Sequence, residues 1–199
     1  MMRVLLLSST LALSGCISLL PEPPPPPRTF VLEAQDVARA QGAPVDAVIA
    51  VAVPLGERAL LGSDLIWRTG DQIAYVDQTQ WSNRAADSLQ QMLTETLVRQ
   101  GRFRAAARSG EANAEYELRW EVLDFEVREE DMSARFSADV RLVARGRQIV
   151  ASQIISAQAP VLERSSSAAA QALARAAREG SARIGEFAAD HAAEASAAR

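Results

Sequence analysis

Cys16 is the only cysteine in the chain, and it directly follows Leu13, Ser14 and Gly15. Its thiol is the one soft nucleophile available. Ser14 and Gly15 are small enough to pass, extended, through a narrow peptidase cleft. Ahead of them, residues 4–14 form an apolar run behind Met1, Met2 and a single positive charge, Arg3. A charged start, an apolar stretch and small residues before a cut site make a secretory signal. The run is too short for a permanent transmembrane helix, which takes about 20 residues. With one cysteine, no disulfide forms within the chain, so the usual secreted role of the residue is absent.

The remaining reactive groups are sparse. His191 is the only histidine and has no cysteine or second histidine with which to share a metal. It reads as a half-buried residue near a helix end. Ser165, Ser166 and Ser167 lack a nearby base, which leaves a Ser-His-Asp arrangement unsupported, and they read as a helix N-terminus. Glu129, Glu130 and Asp131 are adjacent, so in a strand they would point in opposite directions; solvation of a polar turn accounts for them. No phosphate-binding loop occurs. This inventory predicts no enzyme, no cofactor and no metal site. Two groups are candidates for contacts. Arg99, Arg102, Arg104 and Arg108 gather around the end of a predicted helix, where they either complement its C-terminal dipole or meet lipid phosphates or an acidic partner. Trp67, Tyr75 and Trp81 either pack in the core or form a protein interface. The net charge of −4 argues against a nucleic-acid binder. Every basic residue is Arg and none is Lys, which, with the abundant Ala, reflects codon bias.

These residues need a scaffold, and the patterning supplies one. Pro21 and the run Pro23–Pro27 favour an extended polyproline rod. It reads as a spacer, or alternatively as a ligand for a proline-recognition module. Thr29–Leu32 is the first predicted strand. Residues 45–53 are apolar on both parities, as in a central strand covered on both faces. Residues 65–68 and 72–76 flank Thr69-Gly70-Asp71 as a hairpin. A helix is predicted over 83–100, with Ala86, Leu89, Leu93 and Leu97 on one face beside Met92. Ser82 or Asn83 would cap it, and Gly101 would end it. Residues 103–107 read as a short strand. Tyr116, Leu118, Trp120 and Val122 then alternate with polar residues, and the parity flips to Leu123, Phe125 and Val127. Such a flip marks a β-bulge near Val122. Met132–Ala144 alternates without fault, and Gly146 turns the chain into 148–159. These three strands form an antiparallel meander. A closing helix, about 166–191, carries Leu173, Ala177, Gly180, Ile184 and Phe187 on a thin apolar face. Ala177 and Gly180 permit close approach to a sheet. Packing there is favoured over an interfacial membrane helix, because the outward face mixes Arg175, Arg178, Arg183, Glu179, Glu186 and Asp190 without a basic excess. The fold class is α/β (α+β): a mixed, largely antiparallel sheet with two main helices packed on it.

The stretch Leu13-Ser14-Gly15-Cys16 resembles the lipobox of bacterial lipoproteins; the alternative is an ordinary signal with a chance cysteine. The resemblance implies acylation of the Cys16 thiol, cleavage before Cys16 and acylation of the new amine. At about 0.8 kcal/mol per buried CH₂, several acyl chains hold a protein firmly to a membrane. Ile17, rather than Asp, follows the cysteine, which by the enterobacterial sorting rule points to the outer membrane. The wider layout is similar to the PqiC-like auxiliary lipoproteins of ABC-type transport systems. The similarity rests on Phe30-Val31-Leu32, the Val-rich strand ending in Pro54, the aromatic segment reaching Trp81, the Leu89/Leu93/Leu97 ladder, Tyr116-x-Leu118 and the Ala-rich closing helix. It implies a mixed α/β domain in the periplasm; with the readings of the residues above, the chain divides into a signal peptide over 1–15, a lipidated spacer over 16–28, one periplasmic α/β domain over 29–192 and a frayed tail over 193–199. Implied partners are an MCE-domain protein, a permease and an ATPase, with lipid transport and membrane integrity as the process. A second copy of the chain is a further candidate partner. The alternative readings are an assembly lipoprotein that chaperones a barrel or lipopolysaccharide exporter, and a hydrolase.

Overall fold

The alternating run at 116–128 forms β7 (Tyr116–Arg128), the seam on which the sheet is built. Tyr116, Leu118, Trp120 and Val122 turn to the core, and after the parity flip Phe125 and Val127 do so. The flip is a bulge. β7 pairs antiparallel with β8 (Ser133–Ala144), and their register slips between Val122 and Asp124. Leu123 is the extra residue, left exposed instead of joining the core as its apolar character suggested. β8 pairs antiparallel with β9 (Gln148–Pro160), completing the expected meander. The fold is a computed structural model, and it describes residues 25–197. Leu13, Ser14, Gly15 and Cys16 lie outside the described residues.

The opposite edge of β7 is shared by three strands, end to end and all parallel to it. β2 (Val45–Val51) meets its start, with Ile49 opposite Tyr116. β3 (Leu55–Gly56) meets its middle, with Leu55 opposite Glu121. β4 (Asp64–Thr69) meets its end, with Trp67 opposite Val127. β6 (Phe103–Arg108) adds to β2 in parallel. β5 (Gln72–Trp81) folds back antiparallel on β4, and β1 (Arg28–Phe30) lies parallel to β5. The result is a nine-stranded mixed sheet whose long ladders are antiparallel. β2 is paired along both edges, with β6 and β7, and the burial of the consecutive residues Ile49, Ala50 and Val51 shows both faces covered at its C-terminal end. β5 runs five residues past the predicted 76, to Trp81. The register with β4 shifts between Asp64 and Ile66, and Gln78 takes a positive φ of 49°. That irregularity breaks the alternation by which the strand would have been read.

One short helix, α1 (Arg58–Leu61), precedes β4. Helix α2 (Ala85–Gln100) buries Ala86, Leu89, Met92, Leu93 and Leu97 and ends at Gly101, which takes φ 70° and donates its N–H to the Leu97 carbonyl. Neither Ser82 nor Asn83 caps its start. Arg84 occupies the cap position without a side-chain bond, and the Ala85 N–H donates to the Gly62 carbonyl at 2.8 Å instead. The link between α1 and β4 thus satisfies a donor that a polar side chain usually takes. Helix α3 (Ser166–Ala197) continues beyond 191. At its head, the Ala168 N–H donates to Ser165 Oγ at 3.2 Å, consistent with the serines as a helix N-terminus. Its apolar face lies on the sheet, with Leu173, Ala177, Gly180 and Ile184 fully enclosed. Gly180 sits against the Phe136 ring: a Cβ there would be 2.2 Å from Cδ1. The small residues therefore serve the close approach their size allows. Among the described residues, no helix is long and apolar enough to cross a membrane.

Candidate functional site

The four arginines around the end of α2 do not converge. Arg99 lies 3.7 Å from Glu95 one turn back. Arg104 pairs with Asp46 at 2.7 Å, across the parallel β2–β6 ladder. The Arg108 N–H donates to Glu111, and its guanidinium reaches Gln91 at 3.3 Å. Arg102 is the exception. Its side chain is 6% exposed, ion-paired with Asp190 on α3 and bonded to the Ala43 carbonyl at 3.2 Å. It ties the end of α2, the loop before β2 and α3 together, a role that spacing alone does not reveal.

The three aromatic residues also separate. Trp67 pairs with Ala74 and Tyr75 with Ile66, so Trp67 and Tyr75 face opposite sides of the hairpin. Trp81 is buried and stacks on Phe125 with ring centroids 5.8 Å apart. Tyr75 is 58% exposed. Trp67 is half-buried, donates its indole N–H to Glu129 at 2.6 Å and lies under the Arg164 guanidinium.

Glu129 belongs to an acidic turn that does more than face solvent. Glu129 also pairs with Arg164 at 2.6 Å. The Gly70 N–H donates to Glu130 at 2.5 Å and holds its carboxyl below the ordinary range. The Ser133 hydroxyl, then Arg135, does the same for Asp131. The turn between β7 and β8 thus clasps the tip of the β4–β5 hairpin. Beside it, Glu126 is fully buried on the sheet face opposite the aromatic core, with Arg68 Nε and Arg128 Nε each 2.7 Å from Oε1. The Glu126 hydrogen bond raises the Arg68 guanidinium above its ordinary value. Alternation places Glu126 outward; the two arginine side chains lying over it produce the burial.

His191 bonds to the Phe187 carbonyl and packs on the Phe187 ring at 4.6 Å. Among the described residues, no cluster of His, Cys, Asp and Glu is placed to hold a metal ion. A cleft of about 800 Å³ opens between the loop 35–41 and α3, near several charged groups. Arg102 and Asp190 close one end. Arg39, Arg175 and Arg178 line the rest, together with Asp36, Glu179 and Glu186. Burial, and then Arg175 beside it, push the Arg178 guanidinium below its ordinary value, with Asp36 opposing weakly. The signal in the sequence was the pair Arg175 and Arg178, three residues apart on a helix face otherwise read as solvated.

A family model of the ABC-type transport auxiliary lipoprotein component matches residues 30–185. The chain belongs to this family. The match begins in β1 and ends within α3, so it takes in every strand and helix that builds this auxiliary component's core. The crystal structure of a Xanthomonas campestris protein of the DUF330 family has a similar fold, with TM-score 0.78 and 19% identity, covering 85% of this chain and 99% of that one. A second crystal structure, of an uncharacterized protein, gives TM-score 0.66 at 15% identity, covering 82% and 99%. At these identities the likeness is one of fold. None of the curated proteins matches the chain.

Proposed function

We propose that this auxiliary component is a non-enzymatic lipoprotein subunit of an MCE-associated lipid transport system. It is anchored by acyl chains on Cys16 to the periplasmic face of the outer membrane and supports the integrity of that membrane. The family match over 30–185 carries the reading, because it runs from β1 into α3 and takes in the sheet between them. The stretch Leu13–Cys16 supplies the attachment, and Ile17 supports outer-membrane sorting. The reactive side chains also fit this role. Apart from Arg178, the buried and half-buried charged groups described above are ion-paired or tied into strand connections, which is scaffold chemistry. Partners are an MCE-domain protein, a permease and an ATPase.

Gentle detergent extraction of a tagged, lipidated chain is expected to bring down an MCE-domain protein. Failure to capture one, with a barrel or lipopolysaccharide exporter recovered in its place, overturns the reading in favour of an assembly lipoprotein. The anchor is tested separately. Cys16→Ser is expected to abolish acylation, read by mass spectrometry, and to release the protein from outer-membrane fractions. Persistence of the variant in those fractions refutes the tether.

A further inference from the structure

The cleft between the loop 35–41 and α3 holds an unusual charge arrangement. Arg175 and Arg178 are three residues apart on α3, so they sit side by side. Arg175 reaches only a neutral group, the Pro160 carbonyl at 2.9 Å. Arg178 is half-buried and has no ion pair among the described residues. The acids of the cleft do not answer them. Glu179 pairs with Arg183 at 3.0 Å, and Asp190 is taken by Arg102. Asp36 and Glu186 remain, and neither comes within ion-pair distance of a cation. With Arg39 opposite, three guanidiniums share a space of about 800 Å³ with two carboxylates that form no ion pair among the described residues. Adjacent like charges on a helix destabilise it, and a half-buried cation without a partner adds a desolvation cost. An anion in the cleft offsets both.

We infer that the Arg175–Arg178 end of this cleft binds a phosphate group, carried by a lipid headgroup or by a free phosphate ester. Two planar guanidiniums match phosphate oxygens in a forked, bidentate manner, which an isolated carboxylate satisfies less well. The volume accommodates a headgroup and not only a bare ion. The site is independent of the transport partner: capture of an MCE-domain protein can fail while binding holds, and the reverse.

The test uses the full-length lipidated protein in nonionic detergent at constant ionic strength. Glycerol 1-phosphate or inorganic phosphate is expected to raise Tm saturably, by a few degrees, since a ligand of the folded state alone stabilises it by mass action. Arg175→Ala with Arg178→Ala is expected to weaken binding at least tenfold without lowering the ligand-free Tm, because removal of paired like charges relieves the fold. Arg178→Gln alone, which keeps an uncharged side chain of similar reach, gives the same reading should the double variant fail to fold. Arg104→Ala, outside the cleft, should bind as the parent does. Micelles doped with phosphatidylglycerol assign the source. Saturation at tenfold lower phosphate than with glycerol 1-phosphate identifies a lipid headgroup, and equal saturation identifies a soluble ester. No saturable rise in the parent, an equal rise with acetate, or an unchanged response in the arginine variants overturns the inference.

Discussion

Gly180→Ala tests the packing of α3 on the sheet with an opposed pair of expectations. In an isolated helix the change is favourable by about 1 kcal/mol, because Gly is the weaker helix former. Here a Cβ would fall 2.2 Å from Phe136 Cδ1 and 2.4 Å from Cε1. The ring has little freedom to retreat: Phe136 is 1% exposed, with the Phe125 and Trp120 rings at 6.4 and 6.5 Å. Overpacking of a filled core costs about 1–3 kcal/mol, and an overlap of more than an ångström with a fixed ring belongs at the upper end. Net of the helical gain, a loss of about 2 kcal/mol is expected. For a domain of this size each kcal/mol moves Tm by roughly 2–4 °C, so thermal unfolding should show a fall of about 4–8 °C. Adding Phe136→Leu should recover part of it, with a combined loss smaller than the sum of the single losses, as expected for coupled neighbours. An unchanged or raised Tm for Gly180→Ala refutes the close approach.

Other perturbations follow from the same geometry. Gly185→Ala should destabilise less than Gly180→Ala. Its Cβ would meet the Gln100 amide at 2.0 Å, the far end of a side chain that can swing away at the loss of its 2.8 Å bond to the Ala182 carbonyl, so about 1 kcal/mol is expected in urea unfolding. Glu126→Ala leaves Arg68 and Arg128 without their shared carboxylate; with those arginines 27% and 30% exposed, the loss should be about 2 kcal/mol, below the roughly 3–5 of a fully enclosed pair. An unaltered urea midpoint would contradict the buried role assigned to Glu126. The pH dependence has a defined sign. The Val48 N–H, donating at 2.7 Å, holds the Glu115 carboxyl below the ordinary 4.5. A carboxyl depressed in the folded state stabilises above its unfolded pKa and loses that contribution as pH falls through the folded one. Stability should therefore be level above about pH 5 and decline in acid. Glu115→Gln should make the acid limb shallower, and an identical limb removes Glu115 from the account.

Much of the sheet was legible in the amino-acid sequence where neighbours in sequence are also neighbours in space. The meander of β7, β8 and β9 and the bulge at Leu123 follow from alternation and its break. The leucine ladder of α2 and the small residues of α3 follow from helical spacing. The parallel joins were not legible. β2, β3 and β4 each meet β7 with two or three residue pairs across long sequence separations, and no local pattern records which strand lies beside which. The arginines around the end of α2 were visible as a cluster in sequence, yet Arg102 turns inward because Asp190, far along the chain, meets it. Glu126 was hidden for a related reason, since the arginines that cover it come from β4 and from its own strand. Likewise Arg178 reads as solvent-facing from helical spacing, because the loop 35–41 that lies across the cleft from it is distant in sequence; Arg175 stays exposed.

The unequal attachment of β1 and β2 has a mechanical consequence. A load entering along the chain from its N-terminal side reaches β1 first, and β1 is held to β5 by three register pairs at a free margin of the sheet. β2, next in line, is gripped on both sides by β6 and β7. Pulling therefore peels β1 first and then meets Leu32 and Ala34, which are buried in the core, and the Ala43 carbonyl held by Arg102. At roughly 3.3–3.6 Å per extended residue, the 3 residues of β1 span at most roughly 11 Å before that anchor takes the load. The domain thus yields by one short strand and then answers a tug on its leading end with its interior.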